Sequence, residues 1–315
     1  MASLKSLAKD TAIYGMSSII GRFLNYLLVP LYTAKISAAS GGYGVITNMY
    51  AYTALILVIL TYGMETTFFR FVNKEEENSE KVYHTVLCMV GTTSLLFIAL
   101  VFLFISPLSN MMGYADHPAY VWTMFVTVAI DAFQCIPFAY LRFKKRPLKF
   151  AAFKLLFIGM NILLNIVYYV FMDGHDVGYA FYINLVCTAS ITFCFYKEII
   201  EGFRGEKASW AETKVLIKKM LGYSWPILVL GIAGILNQTA DKILFPYIYK
   251  GANAHEQLGI YGAASKIAMI MAMITQAFRY AYEPFVFGKS KDKDNRETYA
   301  KAMKYFIVFT LLAFL

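Results

Sequence analysis

Apolar residues follow one another in long runs, and charged residues gather in the short stretches between them. A helix crosses the hydrocarbon of a bilayer with about 20 mostly apolar residues. Eight stretches reach that length, at 11–33, 42–62, 82–105, 120–143, 153–172, 177–196, 223–249 and 260–287. A ninth, 305–315, ends inside the apolar run YFIVFTLLAFL and is too short to span. Membrane β-strands would be about 10 residues long with alternating polarity, and no such alternation runs through these segments. The pattern predicts an all-α multi-pass membrane protein. Because the ninth run breaks off within a helix, the chain is expected to be the N-terminal part of a longer protein and to be inactive alone.

Composition agrees. The 315 residues are 59% hydrophobic and 16% charged, against about 45–50% and 25% for a soluble domain. A free soluble enzyme, a disulfide scaffold and a disordered chain are all excluded. The net charge of +9 would suggest nucleic acid in a soluble protein, but the distribution of the charge gives it another meaning. Lys5 and Lys9 precede the first span, and the second, fourth, sixth and eighth connections hold three, six, six and six basic residues, the fourth counted with Arg142 and Lys154 at the adjoining span ends. The first and seventh connections hold only Lys35 and Lys250, and the third and fifth hold none. Cytoplasmic loops of membrane proteins are enriched in Lys and Arg, so the N-terminus and the even connections are assigned to the cytoplasm, with no role for nucleic acid. The first apolar run is too long for a signal peptide and is interrupted by Arg22. Cys88, Cys135, Cys187 and Cys194 all fall within spans without metal spacing and are read as small packing residues.

Displacing the chain by 218 residues lays the stretch 42–69 on 260–287. Tyr43 then meets Tyr261, Gly44 meets Gly262, Ala54 meets Ala272, Ile56 meets Ile274, Tyr62 meets Tyr280, Glu65 meets Glu283 and Phe69 meets Phe287. With a two-residue loop difference, Pro30 also meets Pro246. Spans 1 and 2 are thus repeated as 7 and 8, a period of six helices. An even period gives parallel repeats, which place two lobes about an axis along the membrane normal with a substrate site between them. The expected division is an N-terminal lobe over 1–196, a basic amphipathic linker over 197–222, and the start of a C-terminal lobe over 223–315. In the linker, Ser209 and Glu212 form a capping-box pattern. Beyond it Val215, Leu216 and Met220 fall on one side, Lys214 and Lys218 on another, as in a helix lying on the cytoplasmic membrane surface.

No nucleotide or metal motif is present, and His84, His117, His175 and His255 have no partner at ligand or triad spacing. No cofactor is expected, and an enzyme is disfavoured. The informative residues are polar ones inside spans, because a charge at mid-bilayer costs about 2.5–3.5 kcal/mol and so faces a protein interior or an aqueous cavity. Ser18, Arg22 and Asn25 share one face of helix 1. Gly234, Asn237, Asp241 and Lys242 occupy the corresponding part of helix 7. Lys266 and Gln276 lie on helix 8, Asn161 and Asn165 on helix 5. Asp241 and Lys242 are about 100° apart around the helix, which argues against a local ion pair. Arg22 also suits a role as interhelical glue, and Lys266 is near enough to a helix end to snorkel. Glu65, Arg279 and Glu283, near cytoplasmic helix ends, are gate or anchor residues. Asp131, close to Gln134 and Pro137, is a kink partner or a proton site.

The segments LAKDTAIYGMSSIIGRFLNYLLVPLYT and NQTADKILFPYIYKGANAHEQLGIYGAASKIA, with the six-helix repeat, resemble the polysaccharide transporter branch of the multidrug/oligosaccharidyl-lipid/polysaccharide exporter superfamily, the Wzx-type oligosaccharide flippases. The resemblance implies 12 to 14 helices in full-length members and alternating access of two lobes. It implies a cargo of undecaprenyl-pyrophosphate-linked glycan for O-antigen, capsule or exopolysaccharide assembly. It also implies the bacterial inner membrane as location and luminal basic residues, here Arg22 and Lys242, that handle an anionic substrate. Arg22, Asn25, Asn237, Asp241, Lys242 and Lys266 are therefore the expected cavity residues. Glycan polymerase or ligase enzymes and membrane lipids are the expected partners. A cation-coupled multidrug exporter, a lipid II flippase and a non-transporting membrane scaffold are the alternatives. The first of these would need deep acids, for which only Asp131 and Asp241 qualify.

Overall fold

The computed structural model describes residues 27–37, 41–73, 78–205, 209–249 and 251–266, with isolated positions at 24, 268, 269 and between 300 and 311. Most of the first expected span, the greater part of the eighth, and the expected site residues Arg22, Asn25, Arg279 and Glu283 lie outside the described residues.

The described chain is helical throughout. Its elements are α1 (Leu28–Lys35), α2 (Gly42–Thr61), α3 (Met64–Val72), α4 (Ser79–Leu103), α5 (Ile105–Met111), α6 (Pro118–Phe143), α7 (Pro147–Ile166), α8 (Gly178–Cys194), α9 (Tyr196–Arg204) and α10 (Trp210–Ile248). A further helix, α11, covers 254–266. A π-helical turn, Val167–Phe171, extends α7. Among the described residues five helices are long and apolar enough to cross a membrane, and α8 with α9, bent by 51°, passes the same test as a pair. The expected spans 2 to 7 are all present.

Local chemistry sets the boundaries. Asn78 caps α4 by accepting from the Glu80 amide at 2.8 Å, and proline opens α6 and α7, where its missing N–H costs nothing. Tyr62 and Gly63 both take positive φ, 33° and 71°, and separate α2 from α3. A Cβ on Gly63 would stand 2.8 Å from Ile227 Cγ2, so α10 passes directly over this break.

Packing ranks the helices by depth. In its most apolar stretch α6 is 72% buried, against 28% for α4, and α6 packs on α2, α4 and α8 as the central helix of the lobe. Two apolar clusters fill the ends. Met49, Val121, Tyr169 and Phe181 belong to the one near the connections poor in basic residues. Phe68, Tyr83, Leu87, Ile136 and Met220 belong to the one near the connections rich in them. By the charge rule these are the outer and cytoplasmic ends. Leu95, Leu96, Leu103, Phe171 and Phe193 are exposed large apolar residues, as a lipid-facing surface requires.

The linker departs from expectation. Its capping box forms, with Ser209 and Glu212 bonded reciprocally. The helix that follows does not stop before Tyr223, however; α10 runs unbroken for 39 residues. At 1.5 Å per residue it is about 58 Å long, well beyond the roughly 30 Å hydrocarbon core. Leu216 and Met220, read as a lipid-facing stripe, are instead buried against α3, α4 and α6. Protein covers that part of the expected stripe, while Val215 stays exposed. Glu212 is held below the usual carboxylate range by the Ser209 amide and by Lys81, which approaches it from α4 at 3.6 Å.

Candidate transport cavity

Two cavities lie one above the other inside the bundle. The outer, about 330 Å³, is lined by Tyr32, Tyr43, Tyr50, Asn161, Asn184 and Lys266, among others. The inner, about 610 Å³, is lined by residues including Glu65, Gln134, Cys135, Arg142, Phe150 and Lys154. Asp131 and Phe157 line both, so the acid and the ring of adjoining helices α6 and α7 mark where the cavities meet.

The outer cavity is walled by side chains that are themselves tied down. Tyr32 donates to Asn165 Oδ1 at 2.8 Å, and Asn165 donates to the Asn161 carbonyl at 2.7 Å. Asn165 is fully buried and structural, while Asn161, one turn away, faces the cavity. Asn184 donates to Tyr50 Oη at 3.2 Å. Amide and phenol groups fixed in this way present donors and acceptors of defined direction. Lys266 enters the cavity from α11.

In the inner cavity Asp131 accepts from Thr188 Oγ1 at 3.2 Å, and Gln134 donates to the Thr188 carbonyl at 2.7 Å and to Thr192 Oγ1 at 2.8 Å. These bonds tie α6 to α8. Lys154 Nζ lies 4.0 Å from the centre of the Phe138 ring. Glu65 and Arg142 form an ion pair between α3 and the end of α6, and the Arg142 guanidinium also covers the Phe69 ring at 4.8 Å. Glu65 therefore bridges two elements at the cytoplasmic end.

The helix 7 residues behave differently. Asp241 and Lys242 do form the local ion pair that their angular separation argued against, at 2.9 Å. The long lysine side chain folds back, also donating to the Gln238 carbonyl at 3.0 Å. Asp241 further accepts from Tyr261 Oη at 2.5 Å. Neither cavity is lined by Asn237, Asp241 or Lys242, and Asn237 and Asp241 are exposed. The backbone of Lys242 nevertheless ties α10 to α2, its carbonyl accepting from Asn48 Nδ2 at 2.8 Å.

Lys154 and Arg142 were missed because they were counted with the basic fourth connection. The signal lay in Pro147. Read as the first helical residue, it starts α7 six positions before Phe153 and carries Lys154 about 10 Å into the helix.

Residues 7–281 match the family described as polysaccharide biosynthesis protein. The chain belongs to that family. No curated protein matches it significantly by sequence. Among solved structures this family member resembles a MOP superfamily transporter from Pyrococcus furiosus reported with a binding pocket of reverse polarity. That likeness has 15% identity and a TM-score of 0.64, over 100% of this chain and 74% of that one. It also resembles an outward-facing multidrug resistance MATE family transporter of the MOP superfamily, with 14% identity and a TM-score of 0.66 over 100% of this chain and 74% of the other. A MATE transporter of Vibrio cholerae gives 14% identity and a TM-score of 0.58 over 100% and 73%. At these identities the likeness is one of fold, and the all-α, MATE-like architecture expected from the repeat is the one observed. The chain is therefore a multi-pass helical membrane protein of the polysaccharide biosynthesis protein family with a MATE-like fold.

Proposed function

We propose that this chain forms part of a flippase that moves a lipid-linked anionic oligosaccharide across the bacterial inner membrane by alternating access of two lobes, 1–196 and 223 onward, for surface glycan assembly. The observation that carries this reading is Lys266 in a cavity whose polar wall includes Asn161, Asn184, Tyr32 and Tyr50, with Asp131 at its inner end. An ammonium among such groups suits a pyrophosphate, and amide and phenol groups suit sugar hydroxyls. Arg22, Asn25 and Lys242 complete the proposed set on helices 1 and 7, with Asn237 and Asp241 beside them. Glycan polymerases or ligases are the proposed protein partners.

The test is complementation of a strain lacking its flippase, using the full-length gene. Lys266→Ala, Arg22→Ala and Lys242→Ala should each abolish surface glycan while the protein stays in the membrane, and Lys266→Arg should restore it. Normal glycan from Lys266→Ala and Arg22→Ala together would remove the assignment.

A second reading, a cation-coupled multidrug exporter, is favoured by one observation, the carboxylate of Asp131 facing both cavities. Drug efflux by the full-length protein, lost in Asp131→Asn, with no effect on glycan, would select it.

A further inference from the structure

The inner cavity holds two opposite charges that do not meet. Glu65 and Arg142 neutralise each other at its cytoplasmic end. Asp131 and Lys154 lie within electrostatic reach of one another, yet neither forms an ion pair with any described residue. Among the described residues Asp131 is held by the Thr188 hydroxyl, and Lys154 by the faces of Phe138 and Phe150, 4.0 and 6.0 Å from the ring centres. Bringing the two charges together would have been favourable in a low-dielectric interior. The scaffold instead sets both on the wall of one cavity of about 610 Å³, which Phe157 of α7 also lines.

Such a gap selects a ligand that carries both an anion for the ammonium and hydrogen-bond donors for the carboxylate, with an apolar face for the rings. A sugar phosphate has all three. Its phosphate oxygens take charge-assisted bonds from a lysine, its hydroxyls donate to a carboxylate, which only accepts, and its C–H face lies against aromatic carbon. The volume falls within the roughly 300–1,000 Å³ of small-molecule sites.

We propose that this inner cavity is a sugar-phosphate site on the cytoplasmic side of the transport path, with Lys154 holding the phosphate and Asp131 the sugar hydroxyls. The proposal deepens the flippase reading and rests on it for the cargo, whose first sugar and pyrophosphate would be received here. Asp131, shared with the outer cavity, then stands where the sugar passes toward Lys266.

Cys135 lines the same cavity and reports on its occupancy. In the full-length protein with Cys88→Ser, Cys187→Ser and Cys194→Ser, the rate of alkylation of Cys135 by N-ethylmaleimide is followed with glucose 1-phosphate, glucose or inorganic phosphate. At about ten times the dissociation constant, occupancy slows labelling about tenfold. Glucose 1-phosphate should protect at lower concentration than either half of the molecule. Lys154→Gln should erase the advantage that the phosphate confers, Lys154→Arg should keep it, and Asp131→Asn should erase the advantage that the sugar confers. An unchanged labelling rate without ligand shows that each variant keeps the cavity. No protection by glucose 1-phosphate, or equal protection in Lys154→Gln, overturns the site. Protection that follows this pattern together with failed glycan complementation would uphold the site and remove the flippase reading.

Discussion

A Cβ built on Gly259 of α11 would stand 2.9 Å from the backbone nitrogen of Gly44 in α2. The two helices, which are related by the sequence repeat, cross backbone to backbone at the outer end of the bundle. A Cβ on Gly44 would run into the His255 carbonyl, and one on Gly262, the repeat partner of Gly44, into Thr47. Overpacking of this kind costs about 1–3 kcal/mol, charged against the closed arrangement alone. We predict that Gly44→Ala or Gly259→Ala drives the outer ends apart. A cysteine placed at Tyr43, which lines the outer cavity, should then react about tenfold faster with an impermeant thiol reagent. An unaltered rate would mean that the crossing yields without opening.

A second tie lies close by. Tyr52 and Tyr247 share a hydrogen bond of 2.8 Å between α2 and α10, and Tyr247 donates to the Met111 carbonyl at 2.9 Å. One phenol thus joins three elements. Each bond is worth about 0.5–1.5 kcal/mol, so Tyr247→Phe should lower the unfolding midpoint in detergent more than Tyr52→Phe does. Because the two residues share a bond, the double variant should lose less than the sum of the two losses. Strict additivity would show that the bond contributes nothing.

The Lys35 ammonium, 2.8 Å from Asp173, holds that carboxyl below its usual value near 3.8. A depressed folded-state value adds stability that is fully present above the usual carboxylate range and is lost as the pH falls through the depressed value. The wild type should therefore exceed Asp173→Asn in thermal midpoint at neutral pH, and the difference should close in acid. The pair is exposed, so the margin should be small and should shrink with added salt. A gap that persists well below pH 3 would assign the stability to something other than the charge.

What the sequence revealed divides along physical lines. Hydropathy needs no knowledge of neighbours, and it located spans 2 to 7, although α7 starts six residues before the expected 153 and α10 thirteen before the expected 223. For Lys266 the cost of burying charge left a snorkel and an interior site open, and the side chain lines the outer cavity. Lys154 escaped because a charge close to a helix start looks the same whether the helix begins at residue 147 or 153. The ion pair of Asp241 with Lys242 escaped because angular separation describes Cβ directions, whereas a lysine spans several bonds beyond its Cβ and can fold back. The linker helix was misassigned because amphipathicity shows that a face is covered without showing by what. Leu216 and Met220 find Phe68 and Phe71 in the same cluster, contacts between residues some 150 positions apart that no local pattern contains.

The α8–α9 bend depends on one carboxylate. Glu198, in the first turn of α9, is fully buried and accepts from Lys149 Nζ at 2.5 Å, with Arg146 at 3.6 Å. Its backbone carbonyl accepts from Tyr83 at 3.1 Å, and one turn on, Glu201 accepts from Tyr140 at 2.6 Å. These bonds fasten the bent helix to α4, α6 and the start of α7. The lysine and arginine keep partial access to water, so removing their partner does not strand fully buried charges, and the loss should fall in the range of a charged hydrogen bond, about 1.5–3 kcal/mol. Glu198→Ala should accordingly speed proteolysis in the 205–209 connection and hydrogen exchange in α9, while α2 and α6 keep their protection. Exchange that rises equally in every helix would show that Glu198 supports the whole lobe and not the elbow alone.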